Sequence, residues 1–180
     1  MNDNGVIFIG KGGSGKSTSA LACVSAGLSY LGDDFIGIRE QTDGSFLGYS
    51  LYASSLLDPD HLRRLRQLTP YAIPSESPRD PKSLILISRV FPERLQHFAA
   101  VRGIIMPRVV AVPRPELQTV SKAAALLAIA PSSLGLQISP GSRSWDLLAR
   151  LVQRVPCYRL NLGGSIEEIP VCVDRLLGEL

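Results

Sequence analysis

The run Gly10-Lys11-Gly12-Gly13-Ser14-Gly15-Lys16-Ser17 restricts this chain more than any other feature. It fills every position of the pattern G-x-x-x-x-G-K-[S/T], and Thr18 follows directly. Glycine reaches backbone conformations closed to other residues, so successive N–H groups can turn inward onto phosphate oxygens. In such a loop Lys16 reaches the β- and γ-phosphates and the Ser17 hydroxyl ligates Mg²⁺. The flanks agree. "GVIFI", Gly5 to Ile9, reads as a buried parallel strand, and "STSALACVSAGL", Ser17 to Leu28, as a helix that Gly27 would end. A helix starting there adds its positive end to the same spot. The expectation is an ATP and Mg²⁺ site built from Gly10, Lys11, Gly12, Gly13, Ser14, Gly15, Lys16, Ser17 and Thr18.

Further along, "SYLG" reads as a second strand that delivers Asp33 and Asp34 at its end. "FIGIRE" and "FLGYS" flank the turn signal "TDGS" and read as a hairpin. "LYASSLLDPDHLRRLRQL" reads as helical pieces interrupted at Pro59, with Asp58 or Asp60 capping the second. The proline-rich stretch from Thr69 to Ser83 reads as a loop. "LILISRVF" and "RGIIMPRVVAVP" are strand candidates, the latter broken at Pro107. "RPELQTVSKAAALLAIA" and "SWDLLARLVQRV" read as helices and "PCYRLNLGG" as a late strand. "SIEEIPVCVDRLLGEL" reads as a closing helix with Ser165 and Glu168 as a capping box. Strands alternating with helices make the class α/β, a central sheet carrying a phosphate loop and flanked by helices. The 180 residues fit a single domain, with no repeat or low-complexity tract.

The bulk composition is that of an ordinary globular chain, 45% hydrophobic and 19% charged. No apolar run is long enough to span a bilayer, and the N-terminus lacks the basic region of a signal peptide. The expectation is a cytoplasmic protein without a membrane partner. A net charge of +3 argues for no nucleic acid, although the basic residues divide into 4 lysines and 15 arginines. Cys23, Cys157 and Cys172 show no CxxC spacing and do not cluster with His61 or His97, so they read as buried free thiols. Arg63, Arg64 and Arg66 read as a solvated helix face.

Lys11 leaves the type of loop open. "KGGSGKST" resembles the deviant loop of the septum-site and chromosome-partition ATPases and of the nitrogenase iron protein. In those an early lysine reaches the nucleotide of a neighbouring subunit. That resemblance implies a later apolar strand ending in aspartate, and neither "LILIS" nor "IIMPR" ends so. The acidic pair offers another route. Phosphoryl transfer needs the γ-phosphate held, its charge neutralised and an acceptor hydroxyl aligned. Lys16 and a cation on Ser17 meet the first two needs. Carboxylates beside the loop could take the acceptor's proton and support the metal. Neighbouring strand residues point to opposite faces, so Asp33 and Asp34 both serve the site only if the chain bends there, which Gly32 would help. Which carboxylate is the base stays open.

The stretch "GKSTSALACVSAGLSYLGDDFIGI" resembles the loop, helix and acidic strand end of HPr serine kinase/phosphorylases, whose core is shared with phosphoenolpyruvate carboxykinase-like enzymes. "YSLYASSLL", "APSSLGLQISPGSRSWDLLARLVQRVPCYRLNLGGSIEEIP" and "VDRLL" resemble the branch found beside asparagine-synthetase-like enzymes, including those of lasso-peptide pathways. The resemblance implies ATP- and Mg²⁺-dependent transfer to a serine of a protein or peptide. It implies Lys16, Asp33 and Asp34 as catalytic residues, and Ser17 and Asp34 as metal-supporting ones. Arg143, in the turn "SPGSRSW", is the candidate for a second phosphate contact. The family's "EIRG" glutamate signature has no counterpart in "REQTDGSFLGYSLYASS", where Glu40 and Asp43 stand elsewhere, so phosphorylase activity is not implied. Relatives also place a histidine-bearing segment and further strands ahead of the loop, where this sequence has nine residues. The expectation is either a fragment lacking an N-terminal portion, or a sheet edge left open or covered by another chain in a homo-oligomer. A dimeric switch ATPase and a nucleotide-binding module with little catalysis remain the other readings.

Overall fold

The computed structural model describes residues 4–77, 81–134 and 142–180; the side chains of 131–134, 142 and 143 also fall outside the description. The chain is mixed α/β, with a central mixed sheet flanked by helices. Strand β1 (Asn4–Phe8) leads into the glycine loop and helix α1 (Lys16–Ser25). The helix closes as the sequence predicts. Gly27 takes φ 104°, Leu28 N–H reaches the Cys23 carbonyl at 3.0 Å, and Gly27 N–H the Val24 carbonyl at 3.0 Å. That pair of bonds is a Schellman close, and it needs a left-handed residue at Gly27.

The predicted hairpin forms as β2 (Ile36–Glu40) against β3 (Phe46–Ser50), turning through Gly44. The expected strand "SYLG" does not. Tyr30 makes one isolated parallel bridge to Leu95, and Asp33 and Asp34 sit in a bend rather than at a strand end. "SSLL" is strand β4 (Ser54–Leu57) where a helix was expected, because it pairs with β6 (Ser83–Leu86) and buries Ser55 and Leu57 on one face. Helix α2 (Pro59–Arg64) follows, with Asp58 at its N-cap but no side-chain cap bond. The expected loop after Thr69 holds the end of a 3₁₀ turn (Arg66–Tyr71) and β5 (Ala72–Pro74), which completes a small antiparallel sheet in the order β4-β6-β5. The apolar run after β6 turns into the short helix α3 (Ile87–Val90).

Strand β7 (Phe98–Val109) runs unbroken through Pro107, contrary to the sequence expectation. Hydrogen-bond direction explains the tolerance. Ile104 donates to the Pro156 carbonyl on the β9 side, while Ile105 accepts from Ile9 on the β1 side. Alternation then points the Pro107 nitrogen to the β1 side, beyond the last β1 pair at Phe8, where no ladder bond is lost. Glu116–Thr119, expected to open a helix, is strand β8. It pairs antiparallel with β9 (Cys157–Leu162), and helix α4 (Lys122–Leu134) starts only after it. Helix α5 (Ser142–Arg154) precedes β9 and α6 (Glu168–Glu179) follows it. The capping box is absent: the Ser165 hydroxyl bonds the Glu167 carboxylate, and Glu167 is the N-cap.

The large sheet has the order β2-β3-β7-β9-β8, with β1 parallel to β7 on its remaining edge. One face, with Ile105, Leu160 and Leu162, packs with α1, α6 and the small sheet; the other, with Ile104, Met106 and Cys157, packs with α4 and α5. Cys23 and Cys157 are buried free thiols as expected, and Cys172 is only half-buried. Burial pushes the Cys23 thiol up to about 12, with Asp174 and Cys172 adding to it. No helix among the described residues is long and apolar enough to cross a membrane. Ile105 is fully buried between β1 and β9. Its replacement by alanine should cost about 2–5 kcal/mol, measurable as a lower urea midpoint with unchanged slope.

Candidate functional site

The loop between β1 and α1 owes its shape to three glycines at positive φ: Gly10 at 139°, Gly13 at 75° and Gly15 at 103°. At Gly15 a side chain would also meet the end of Leu162, which would have to shift. A Cβ there would stand 2.4 Å from Leu162 Cδ1, so the end of the loop lies against the close of β9. Helix α1 begins at the next residue with no side-chain cap and no acidic residue in its first turn, which leaves its leading N–H groups to an anion. The Lys16 ammonium folds over the loop and donates to the carbonyls of Gly10 at 2.9 Å and Lys11 at 3.1 Å. Lys11, Gly12 and Gly13 are exposed at the crown. The Ser14 hydroxyl is buried and has no hydrogen-bond partner. Thr18 is buried at the start of the helix.

The acidic pair meets this loop, and Asp33 is the residue that does so. Its carboxylate accepts from the Ser55 hydroxyl at 2.5 Å, and the Ser17 hydroxyl is near enough to favour its charged form. Burial raises the Asp33 pKa above the ordinary carboxylate range. The two hydroxyls oppose that rise, the charge of Asp34 adds to it, and Lys16 draws it back. Asp34, one residue on, is exposed. The bend that separates the two is anchored by Tyr30, whose N–H reaches the Arg94 carbonyl at 2.8 Å and whose phenol reaches the Ser54 carbonyl at 3.3 Å. Burial, followed by Asp33, raises the Tyr30 phenol, so it stays protonated as a donor. Phe35 and Tyr52 pair beside the carboxylates at 6.2 Å between ring centroids.

Sequence reasoning missed Ser55 and Tyr30. Nothing in "YASSLL" marks Ser55 as a partner of a carboxylate 22 residues earlier. Only the pairing of β4 with β6 turns it inward. Arg143 lies outside the described residues as a side chain; its backbone belongs to the first turn of α5. β7, the parallel neighbour of β1, carries Pro107 and Arg108 level with the loop and no carboxylate.

A concavity of about 1190 Å³ runs from Gly10 and Lys16 past Asp33 and Asp34. Its donors suit a magnesium nucleotide. An uncapped helix start, the unpartnered Ser14 hydroxyl and a lysine are phosphate ligands, and the Ser17 hydroxyl and the carboxylates of the Asp33–Asp34 bend are hard oxygens of the kind Mg²⁺ takes. Among the described residues no group of three or more His, Cys, Asp or Glu side chains gathers as a metal cluster.

No protein-family model and no curated protein matches the chain. Among solved structures, it is similar to the HPr(Ser) kinase/phosphatase from Coxiella burnetii at 18% identity and a TM-score of 0.41, over 83% of this chain and 81% of that one. No residue's role is carried across from that protein.

Two outcomes follow from the geometry. Gly15→Ala should lower the melting temperature and abolish nucleotide binding, whereas Gly12→Ala, with nothing within 4 Å of its Cβ, should leave the melting temperature unchanged. Asp33→Asn should stabilise the nucleotide-free protein near neutral pH, because it removes a buried charge whose pKa folding raises. That gain should shrink as pH falls from the raised native value through about 4, where the unfolded carboxylate also protonates. Melting temperatures of both proteins across that range check the sign.

Proposed function

We propose that the chain is an ATP-dependent serine kinase of the HPr-kinase-like group, one domain across residues 1–180, acting on a protein or peptide hydroxyl such as that of a lasso-peptide precursor. The observation that carries this reading is the Asp33 carboxylate, fixed by the Ser55 hydroxyl at 2.5 Å, on the same concavity as the loop and Lys16. A loop that only held nucleotide would need no carboxylate brought beside it and oriented by a buried serine.

In this reading the loop N–H groups, Ser14 and Lys16 hold the phosphates, and Ser17 and Asp34 support the cation. Bound Mg²⁺ would neutralise phosphate charge. Asp33 accepts the proton of the incoming serine hydroxyl as its oxygen bonds to the γ-phosphorus and the bond to the β–γ bridging oxygen breaks. A carboxylate lifted by burial is a better base near neutral pH than a solvated one. Ser55 fixes the orientation of that carboxylate, as a positioning residue. The dimeric switch ATPase is less well supported, since the strand beside β1 carries no aspartate at the loop and the carboxylates arrive from the bend after Tyr30.

The test is incubation with labelled ATP and candidate acceptor peptides, followed by mass spectrometry for phosphoserine. Lys16→Ala should abolish both nucleotide binding and transfer. Asp33→Ala should leave the nucleotide Kd within a few-fold and lower the transfer rate about 10²-fold or more, with loss of the acidic limb of the pH–rate profile. Asp34→Ala should raise the Mg²⁺ requirement and keep that limb. Equal transfer by wild type and both aspartate variants would remove the catalytic assignment.

A further inference from the structure

We propose that the free edge of β1 is a docking strand for the acceptor polypeptide, which joins the sheet as an extended segment and so brings its serine to the phosphate loop. The direction of the backbone groups carries the inference. Ile9 N–H bonds the Ile105 carbonyl at 2.9 Å, and Phe8 stands opposite Ile105 in the register. By alternation Gly5, Ile7 and Ile9 turn their backbone groups towards β7, while Val6 and Phe8 turn theirs away. β9 lies on the opposite edge of β7, since Ile104 N–H bonds the Pro156 carbonyl. Among the described residues β1 therefore has one partner strand, and the outward N–H and C=O groups of Val6 and Phe8 have none.

The surroundings favour a strand over any other guest. A parallel strand between two helix layers is ordinarily buried on both faces, yet every residue from Asn4 to Phe8 is half-exposed. The concavity at the site follows the whole of β1 from Asn4 to Gly10. Ala20, Val173 and Leu177 line it on the α1 and α6 side, and Leu147, Leu148 and Leu151 on the α5 side. Its floor is an unpaired strand edge and its walls are mainly apolar, with Asp174 on the α6 side and Ser144 on the α5 side. A helix would offer such a floor no hydrogen bonds, because its own are internal. An extended backbone satisfies the edge and sends alternate side chains to the two apolar walls. The guest is thus a segment of about five residues, apolar on both faces.

The same concavity joins this edge to Lys16, Asp33 and Asp34. A residue paired opposite Phe8 lies two positions from Gly10, about 7 Å along the strand direction. A serine one or two residues beyond the paired run therefore arrives at the phosphate site. That the guest is the phosphoryl acceptor rests on the kinase reading above; the unpaired edge does not.

The test uses the full chain with ATP, Mg²⁺ and two synthetic peptides. Each carries the run Val-Leu-Val-Ala-Val and a single serine, two residues after the run in one and two before it in the other, with terminal lysines for solubility. Amide exchange followed by NMR reads the edge, and phosphoserine reads transfer. One peptide should slow exchange at Val6 and Phe8 at least tenfold and leave Ile7 and Ile9, already bonded to β7, unchanged. N-methylating alternate amides of the run should abolish that protection and raise KM at least tenfold in one parity and do neither in the other. The change is in the peptide, so the folding of the protein is untouched. Equal tolerance of both parities would overturn the docking strand, as would protection of Val6 and Phe8 that appears without peptide and grows with protein concentration, the mark of a second copy. Protection without phosphoserine would keep the docking edge and overturn the kinase reading. Phosphoserine with Val6 and Phe8 unprotected would do the reverse.

Discussion

Strand β7 bonds to parallel strands on both edges, and the glycine loop stands where it does because of that pairing. Ile105 holds Ile9 on one side and Ile104 holds Pro156 on the other, successive residues with opposite hydrogen-bond directions. β1 and β9 therefore both run parallel to β7, with β9 continuing to Leu162 past the last β1 pair at Ile105, so the end of the loop out of β1 lies against Leu162. The φ of 103° at Gly15 is what disfavours any side chain there, Leu162 Cδ1 having only to shift, and it sends the chain straight into α1. The start of the helix, its uncapped N–H groups and Lys16 all follow from one packed contact. Pro107 is compatible with the same strand because its missing donor falls where β1 has stopped.

The carboxylates reach this loop by a different route. Tyr30 ties the chain after α1 to Arg94 and Gln96 through backbone bonds, and the bend that follows carries Asp33 back to Ser17. The result is a balance of opposing effects on one side chain. Burial and the neighbouring Asp34 favour the protonated form, while Ser55, Ser17 and Lys16 favour the charged one. A group held between such pressures is suited to proton exchange, whereas a fully solvated carboxylate is held too acidic for the task.

What was legible in the chain was local. The glycine loop, the close of α1 at Gly27 and the hairpin through Gly44 depend on residues within a few positions of one another, and each formed as expected. The larger errors lie where a distant partner overrode a local pattern. "SSLL" is strand because β6 offers it an edge, and Glu116–Thr119 is strand because β9 does. Ser165 bonds Glu167 instead of Glu168, which removes the expected capping box although its residues are present. Helix propensity differences of a few tenths of a kcal/mol per residue cannot compete with a ladder of hydrogen bonds to an existing sheet.

By itself the sequence determined that a glycine-rich loop ending in Lys16-Ser17 would sit between a strand and a helix, because glycine's freedom is a property of the residue itself. It also determined that two carboxylates would follow a short helix, though not which one would meet the loop. Tertiary structure alone chose Asp33, supplied Ser55 from a strand of a second sheet and, among the described residues, left one edge of β1 unpaired. Those outcomes depend on which strands find partners across the chain, and hydrogen-bond pairing at long range leaves no mark in the order of neighbouring residues.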